Sequence, residues 1–337
     1  MAQPYFNLPI WLSITMNQLE QLKKYSIVVA DTGNVESIAR FSPRDATTNP
    51  SLILKAAKSP EYQSLLTVAL STHQRGSIES AMDAVLVQFG LEILKKVSGR
   101  VSSEVDARLS FNTPATVACA RRIFSAYKNA GIHSDRILIK IAATWEGIQA
   151  AKILAAEGIK TNLTLVFNLS QAIACADAKV QLISPFVGRI YDWHKNKLGA
   201  AWNEAEMRGQ NDPGVKSVTQ IVHFYKEHGI PTEIMAASFR HVDQIVALAG
   251  CDLLTISPNL LETMQNSNDA VLPALTSASA AQADQSWTAL SEADFRLAMN
   301  RDAMATEKLA EGIRQFEEDT LALETLISDL ISKEGSL

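Results

Sequence analysis

Residues 136–147 read RILIKIAATWEG, a short apolar run that holds one lysine and leads into a helical stretch. Three isoleucines and a leucine within five residues are typical of a buried strand, and the following WEGIQAAKILAAEG repeats its apolar residues at helical spacing before it ends in glycine. A strand followed by a helix is the unit of a parallel sheet. Inside such a strand, Lys140 has to reach water, pair with an opposite charge, or lose its proton.

The same unit recurs along the chain. The other strand-like runs are YSIVVADTG, RDATTNPS, GRVSSEVDA, KTNLTLVFN, VQLISPFVGR, TEIMAASFR and CDLLTISPN, and helical stretches separate them. About eight such units of uniform composition predict an α/β fold, a closed (β/α)8 TIM barrel with additional helices, rather than an open sheet. The extra helices are expected in residues 50–98, in residues 190–232 and in residues 285–333. We expect the last of these three ranges to pack across one barrel end.

Composition excludes several classes of protein. The chain has 337 residues, of which 47% are hydrophobic, and 31 Lys plus Arg stand against 36 Asp plus Glu. This balance gives no basic surface for nucleic acid, and no apolar run approaches the roughly 20 residues of a membrane span. The three cysteines are far apart and odd in number, which argues against disulfides and a metal site and favours the reducing cytoplasm.

The first fifteen residues differ from the rest. MAQPYFNLPIWLSIT is apolar but has neither a basic start nor a small-residue cleavage site, so it does not read as a secretion signal. We interpret residues 1–15 as an N-terminal extension or an expression remnant, with Met16 as the natural start. Residues 16–337 are then one barrel domain with C-terminal helices.

Polar side chains stand where the apolar runs end, and in such barrels the functional groups occupy the carboxyl ends of the strands. We therefore expect one site at that end. Its candidates from position alone are Asp31, Asn49, Glu104, Lys140, Asn162, Thr164, Ser184, Arg189, Ser238 and Arg240.

Lys140 has two interpretations. A lone lysine in a strand most often extends its amine to water or pairs with a carboxylate. The alternative is an amine whose pKa is lowered by desolvation, free to attack a carbonyl carbon. Asp31 and Glu104 favour the second interpretation, because a Schiff-base lysine needs one group to move protons and another to act on a substrate hydroxyl.

The two carboxylates also have structural alternatives. Asp31 precedes Thr32-Gly33 and would serve equally as a helix cap or turn residue. Glu104 is followed by Asp106 and Arg108, which would form an ordinary ion pair with it.

Arg189, Ser238 and Arg240 suggest an anion site. Arginine offers a planar fork that matches phosphate oxygens, and barrels of this class commonly bind phosphate near their later strands. The alternative for either arginine alone is a surface residue at the start of a helix. Together with a lysine nucleophile, the three residues favour a phosphorylated sugar.

These motifs carry a family resemblance over residues 17–333. VADTG, DATTNPSLI, EVDARLS, RILIKIAATWEGI, NLTLVF, LISPFVGRI, DPGV, ASFR and AGCDLLTISP follow one another in the order and spacing of the transaldolase family. The chain resembles the bacterial long-chain branch of that family, within the class I Schiff-base aldolases. The sequence departs from the family pattern at Ala143, around Asn168-Leu169-Ser170 and at Ser257.

The resemblance implies a role for each candidate. Lys140 would form a Schiff base with the C2 carbonyl of a ketose phosphate, Asp31 would act on the C4 hydroxyl, and Glu104 and Thr164 would hold a proton-relaying water. The implied substrate-binding residues are Asn49, Asn162, Ser184, Phe186 and Trp145, and the implied phosphate-binding residues are Arg189, Ser238 and Arg240.

The resemblance also implies the reaction. A dihydroxyacetone unit would pass from fructose 6-phosphate or sedoheptulose 7-phosphate to erythrose 4-phosphate or glyceraldehyde 3-phosphate, in the non-oxidative pentose phosphate pathway. The expected partners are these sugar phosphates, with neither nucleic acid nor membrane, no cofactor and no metal; a homodimer is the family precedent. Phe186, which has no hydroxyl, is expected to offer water no proton donor.

Two alternatives stay open. A fructose 6-phosphate aldolase would use the same lysine but release dihydroxyacetone free. A catalytically silent barrel would serve as a binding protein, since a fold does not fix a function.

Overall fold

The computed structural model describes residues 16–71, 77–275 and 287–334, so the predicted extension at residues 1–15 lies outside the described residues. Within them, eight parallel strands close into a barrel in sequence order. The strands are β1 (Ile27–Asp31), β2 (Asp45–Thr47), β3 (Val101–Glu104), β4 (Ile137–Ala142), β5 (Thr161–Val166), β6 (Leu182–Pro185), β7 (Glu233–Ala236) and β8 (Leu253–Ile256). The predicted (β/α)8 barrel is therefore confirmed.

Helices surround the barrel, and extra helices lie in residues 50–98 and 190–232, as the periodicity predicts. They are α1 (Gln18–Leu22), α2 (Val35–Phe41), α3 (Pro50–Ala57), α4 (Gln63–Ser71), α5 (Ile78–Leu94), α6 (Thr113–Asn129), α7 (Trp145–Ala156), α8 (Leu169–Asp177), α9 (Val187–Leu198), α10 (Pro213–Glu227), α11 (Val242–Val246), α12 (Pro258–Gln265), α13 (Glu292–Arg301) and α14 (Ala303–Glu334). Short 3-10 turns lie at Pro60–Tyr62, Ala107–Leu109, Ser134–Arg136, Gly199–Ala201 and Gly209–Asn211. Among the described residues no helix is both long and apolar enough to cross a membrane.

The strands are buried on both faces, and the alternation of their side chains decides what faces the barrel axis. A cluster of large apolar residues fills the interior: Val29, Leu138, Leu182, Met235 and Leu253. The residues that alternate with these along the strands, such as Ile139 and Ile141, face outward and belong to the core between the sheet and the helices. On each strand, the next interior residue lies two positions closer to the carboxyl end. This residue is the one that can contact a ligand.

The amino end of the barrel is closed by charged groups. Arg100 pairs with Asp45 at 2.9 Å and with Glu233 at 2.6 Å, and Gln181 donates a hydrogen bond to Glu233. These residues lie at the beginnings of their strands or just before them. The network stabilises this end of the barrel, opposite the strand ends where the polar candidates lie.

The C-terminal helix α14 is 32 residues long and packs against α3, α9 and β5. The expectation that residues 285–333 form helices across one barrel end is borne out by α13 and α14, which occupy most of the part of that range that the structure describes and end one residue beyond it. The helix covers the carboxyl end of the barrel and contributes a side chain to the site described next.

Candidate active site

Lys140 projects into the barrel from β4, because it follows the interior residue Leu138 by two positions. Its side chain is 4% exposed. The amine pairs with Glu104 at 2.9 Å and donates a hydrogen bond to the carbonyl oxygen of Thr48 at 3.1 Å. Of the three outcomes open to a lysine in an apolar strand, Lys140 finds a partner, and it does not extend its amine to solvent.

Glu104 faces Lys140 because the two residues are register partners on β3 and β4. The alternative ion pair of Glu104 with Arg108 does not form. Arg108 instead pairs with Asp106 at 2.6 Å and with Glu324 at 2.9 Å. Glu104 is therefore free to pair with Lys140, as the catalytic interpretation requires.

Asp31 ends β1 two residues beyond the interior residue Val29. It is not a helix cap, since the side chain of Asn34 caps α2 by accepting from the Ser37 amide at 2.9 Å. Asp31 lies partly buried in the barrel mouth and lines the same cavity as Lys140.

Burial sets the protonation of the two carboxyl groups. Desolvation raises the pKa of Asp31, and the positive charges of Lys140 and Arg189 oppose that rise only in part. Desolvation likewise raises the pKa of Glu104 against the same two cations, and the charge of Asp31 adds to the rise. A carboxyl group whose pKa is raised holds its proton more readily than an exposed one, and general acid–base catalysis needs a group that can both take and give a proton.

A row of neutral polar groups continues from Lys140 around the barrel wall. Asn162 is the register partner of Lys140 on β5; its amide donates to Ser102 Oγ at 3.1 Å and its oxygen accepts from Ser184 at 2.6 Å. Thr164 is fully buried, and its hydroxyl has no hydrogen-bond partner within residues 16–71, 77–275 and 287–334. Such a hydroxyl is suited to bind a substrate oxygen or a water.

Asn49 has a structural task as well as a place in the site. Its side-chain oxygen accepts from the Leu52 amide at 2.9 Å and so caps α3. The residue also lines the cavity around Lys140. The cap fixes the position of the Asn49 side chain at the barrel mouth.

A bulge in β5 positions Thr164, and the sequence did not predict it. Leu165 has a φ of 58°, in the left-handed region, where the pairing of β5 with β6 shifts register. The buried Gln171 holds this backbone: it donates to the carbonyl oxygens of Leu165 and Ala143 at 2.9 Å each and accepts from the Phe167 amide at 2.8 Å. Gln171 therefore joins the end of β4 to the end of β5.

Two arginines approach the rim of the cavity. Arg189 lies in the first turn of α9, and burial together with the positive charge of Arg240 lowers the pKa of Arg189. Arg240 is held by Asp192, which accepts from Arg240 Nη2 at 2.6 Å and from Nε at 2.9 Å. Ser238 accepts from Arg240 Nη1 at 3.2 Å. Two guanidinium groups that approach one place form a site for an anion.

The backbone at Ser238 is held in an uncommon conformation. Its φ is 64°, in the left-handed region that a serine rarely adopts. The Gly188 amide donates to the Ser238 carbonyl oxygen at 2.8 Å, and a Cβ on Gly188 would lie 2.0 Å from that oxygen. Glycine at position 188 is thus required for the strand end that carries Ser238 to approach α9.

The cavity that these residues enclose has a volume of about 200 Å3. It is lined by Asp31, Thr47, Asn49, Lys140, Thr164, Ser184, Phe186, Arg189, Met235, Ala237, Ser238, Phe239, Arg240, Thr255, Ser257 and Phe316. Glu104 and Asn162 lie behind Lys140, in contact with it or its neighbours. Most residues proposed from the sequence are thus brought together in one place.

Trp145 is the exception. It is the first residue of α7, and its ring packs against Phe295 of α13 with 5.4 Å between centroids. It lines a separate groove between α7, α13 and α14. Among the residues that the structure describes, Trp145 is not one that lines the cavity around Lys140.

Sequence reasoning missed several cavity residues. Thr47 and Thr255 are interior positions of β2 and β8, so strand alternation would have found them. Asp192, which does not line the cavity but holds Arg240 beside it, was detectable as an acid one helical turn from Arg189. Phe316 had no local signal, because only the packing of α14 over the barrel brings it to the site.

Comparison with known proteins agrees with this geometry. The family model described as transaldolase/fructose-6-phosphate aldolase matches residues 28–327. A protein named transaldolase from Methylibium petroleiphilum is 58% identical over 314 residues, which cover 93% of this chain and 99% of that protein. The resemblance drawn from the motifs is confirmed, and with it the prediction of an enzyme. The chain belongs to the transaldolase/fructose-6-phosphate aldolase family.

Proposed function

We propose that the chain is a transaldolase that moves a dihydroxyacetone unit between sugar phosphates through a Schiff base on Lys140. The observation that carries this proposal is the buried Lys140–Glu104 pair at 2.9 Å, which opens onto a cavity rimmed by Arg189 and Arg240. An amine that attacks a carbonyl, a carboxyl group that exchanges protons with it and an anion site for the phosphate are the three parts that the reaction needs.

The first step forms the imine. The neutral Lys140 amine, after passing a proton to Glu104, adds to the C2 carbonyl carbon of the ketose phosphate. The resulting carbinolamine loses its oxygen as water when Glu104 returns a proton. The hydroxyl of Thr164 lies on the next strand, at the register partner of Ala142, and is placed to hold that water.

The second step breaks the carbon chain. Asp31 takes the proton of the C4 hydroxyl, the C3–C4 bond breaks, and the aldose phosphate leaves as an aldehyde. The electron pair moves into the protonated imine, which becomes a neutral enamine. Addition of the enamine to the aldehyde of an acceptor, with Asp31 returning its proton, gives the new ketose, and hydrolysis of the imine releases it.

The remaining residues hold the substrate along the cavity. Asn49, Asn162 and Ser184 present amide and hydroxyl groups to the dihydroxyacetone portion. Arg189, Ser238 and Arg240 bind the phosphate, and Asp192 fixes the direction of Arg240 by the bonds described above. This order places the carbonyl carbon deep in the barrel and the phosphate at its rim.

Replacement of Arg240 by leucine is expected to raise KM for fructose 6-phosphate by about 10- to 100-fold, because one charged hydrogen-bond donor to phosphate contributes roughly 1.5–3 kcal/mol. Steady-state kinetics with erythrose 4-phosphate as acceptor measure this. A smaller loss is expected for Asp192→Asn, which leaves the guanidinium but releases its orientation. The control is Arg208→Leu, an exposed arginine that pairs with Asp243; an equal effect there would refute a specific phosphate site.

The test of the proposed reaction compares products with and without an acceptor. With fructose 6-phosphate and erythrose 4-phosphate, a transaldolase gives sedoheptulose 7-phosphate and glyceraldehyde 3-phosphate. Without an acceptor, continued release of free dihydroxyacetone at a comparable rate would instead identify the fructose 6-phosphate aldolase activity that the same family includes. If neither transfer nor release of dihydroxyacetone were found, the alternative of a catalytically silent binding protein would remain.

Phe186→Tyr is expected to raise the release of free dihydroxyacetone severalfold, because the new hydroxyl can orient a water beside the enamine and supply the proton that the enamine carbon takes up before that water adds. Phe186 is 7% exposed and lines the cavity, so the added oxygen enters the site. Free dihydroxyacetone is measured after single turnover with fructose 6-phosphate. Phe224→Tyr serves as control, since Phe224 lies in another groove; no gain in Phe186→Tyr would count against the idea.

The other predictions concern the chain as a whole. A cytoplasmic location, a homodimer and one domain over residues 16–337 all stay predictions.

A further inference from the structure

We propose that Phe316 of α14 is a shielding residue that keeps water from the lysine-bound three-carbon unit and thereby separates transfer from hydrolysis. This inference rests on the proposed Schiff-base function of Lys140. It assigns to the C-terminal helix a part in deciding the reaction outcome.

Phe316 lies between the two charged ends of the cavity. Its side chain is 2% exposed, and its ring centroid is 5.8 Å from Lys140 Nζ and 5.6 Å from Arg189 Cζ. The ring of Phe186 approaches Arg189 from another element, at 5.0 Å. Two aromatic rings thus border the path from the lysine to the proposed phosphate site.

Gly312 lies where α14 approaches the barrel, one helical turn before Phe316. A Cβ at position 312 would lie 2.7 Å from a methyl group of Leu165 and 3.0 Å from Arg189 Nη1. Residues four apart share one helix face, so the face that lacks a side chain at Gly312 carries the ring at Phe316. A side chain at position 312 would have to displace the ends of the Leu165 and Arg189 side chains, next to the ring of Phe316.

The helix is held to the barrel beyond Phe316. Ser51, two residues after Asn49, donates a hydrogen bond to Asp319, and Arg108 pairs with Glu324 at 2.9 Å. These contacts fix α14 to α3 and to the turn after β3, the elements that carry Asn49 and follow Glu104. The ring is therefore placed by the same structure that places the polar residues.

A ring at this place has a specific chemical consequence. Between donor release and acceptor binding, the unit on Lys140 is an enamine. Its loss by hydrolysis requires protonation of the enamine carbon, addition of water to the imine carbon and cleavage of the C–N bond, which returns the amine and free dihydroxyacetone. A phenyl ring offers neither a proton donor nor an acceptor to orient that water, and it occupies the space where water would stand.

Phe316 belongs to the hydrophobic core cluster, but its ring also faces an amine and a guanidinium and lines the cavity. Aromatic rings stabilise such cations, with Arg189 and Lys140 both within the distance of a cation–π contact. The ring also separates two positive charges, so that each remains available to its own part of the substrate.

The experiment measures the ratio of free dihydroxyacetone to sedoheptulose 7-phosphate formed from fructose 6-phosphate and limiting erythrose 4-phosphate. For Phe316→Ala we expect this ratio to rise about tenfold, which corresponds to roughly 1.4 kcal/mol. Phe316→Leu, which keeps an apolar side chain, is expected to show a smaller rise and to preserve the fold. Leu321→Ala, an exposed position on the same helix, is the matched control and should keep the wild-type ratio.

The ratio does not depend on how much of a variant is folded, because both products come from active enzyme. An unchanged ratio in both Phe316 variants, with the two product rates falling together, would show that Phe316 only supports the fold and would overturn the inference. Failure of the proposed function is distinguishable, since the unaltered protein would then form no sedoheptulose 7-phosphate.

Discussion

Lys140→Ala is expected to lower transfer from fructose 6-phosphate to erythrose 4-phosphate by about 10^4-fold or more, the scale seen when a covalent nucleophile is removed. Alanine cannot form the imine. Among the described residues that line the cavity, Lys140 is the only lysine, so no second amine there can replace it. Borohydride reduction in the presence of fructose 6-phosphate should add mass to the peptide that contains Lys140 in the unaltered protein. The variant should gain none.

Lys152→Ala is the matched control for this experiment. Lys152 lies on the next helix, is about half exposed and pairs with Asp177 at 3.0 Å. Its loss should leave both transfer and trapping unchanged. Reductive labelling of a lysine other than Lys140, or labelling that persists in Lys140→Ala, would remove the chemical basis of the proposed function.

The fold was predictable because its rule is local. In each unit a short apolar run precedes a helical one, and parallel strands buried on both faces need little more than that pattern. The polar residues at strand ends were predictable for the same reason. Two-residue alternation from Leu138 to Lys140, and from Leu182 to Ser184, puts them on the inner face without any knowledge of tertiary contacts.

Pairing between the strands was not predictable from the sequence. Glu104 has Asp106 and Arg108 as near neighbours, yet strand register brings it to Lys140 and leaves Arg108 to Glu324. The bulge at Leu165 likewise depends on the buried Gln171, which lies on the following helix. Contacts of this kind are decided by the closure of the barrel.

Trp145 and Phe316 show the same limit in opposite directions. Trp145 is adjacent to the strand that carries Lys140, but as the first residue of α7 it turns outward to pack on Phe295. Phe316 is remote in sequence, and an amphipathic helix gives no sign of which barrel residue it will meet. Sequence proximity to a catalytic residue is therefore a weaker guide than the face on which a residue lies.

Asp31→Asn is expected to lower transfer by roughly 10^2- to 10^4-fold, the usual contribution of one general base, while imine formation continues. Lys140 and Glu104 remain in the variant, so fructose 6-phosphate still becomes bound, but the C4 hydroxyl keeps its proton and the C3–C4 bond does not break. Borohydride trapping followed by mass analysis of the Lys140 peptide should then find the intact six-carbon sugar phosphate. In the unaltered protein the three-carbon unit should be found as well.

Glu104→Gln should give the opposite pattern, because it removes the proton exchange with the amine and so reduces trapping of any sugar. Asp177→Asn, a surface aspartate, is the neutral control. A three-carbon adduct forming in Asp31→Asn as quickly as in the unaltered protein would assign the cleavage step to another group.

The Asp31→Asn variant also has a predictable effect on the stability of the fold. Burial raises the pKa of Asp31 above its ordinary value of 3.8, so between that value and the folded-state pKa the folded protein holds a proton that the unfolded chain has lost. The contribution of Asp31 to stability is therefore present below the ordinary value and is lost as pH rises through the folded-state pKa. Asparagine does not ionise, so thermal unfolding of Asp31→Asn at pH 7 should occur at a higher Tm than in the unaltered protein, and the difference should shrink toward pH 4. A catalytic role for Asp31 requires a carboxyl group that is needed for carbon–carbon cleavage and that lowers the stability of the fold. A lower Tm of Asp31→Asn at neutral pH would mean that Asp31 stabilises the fold instead.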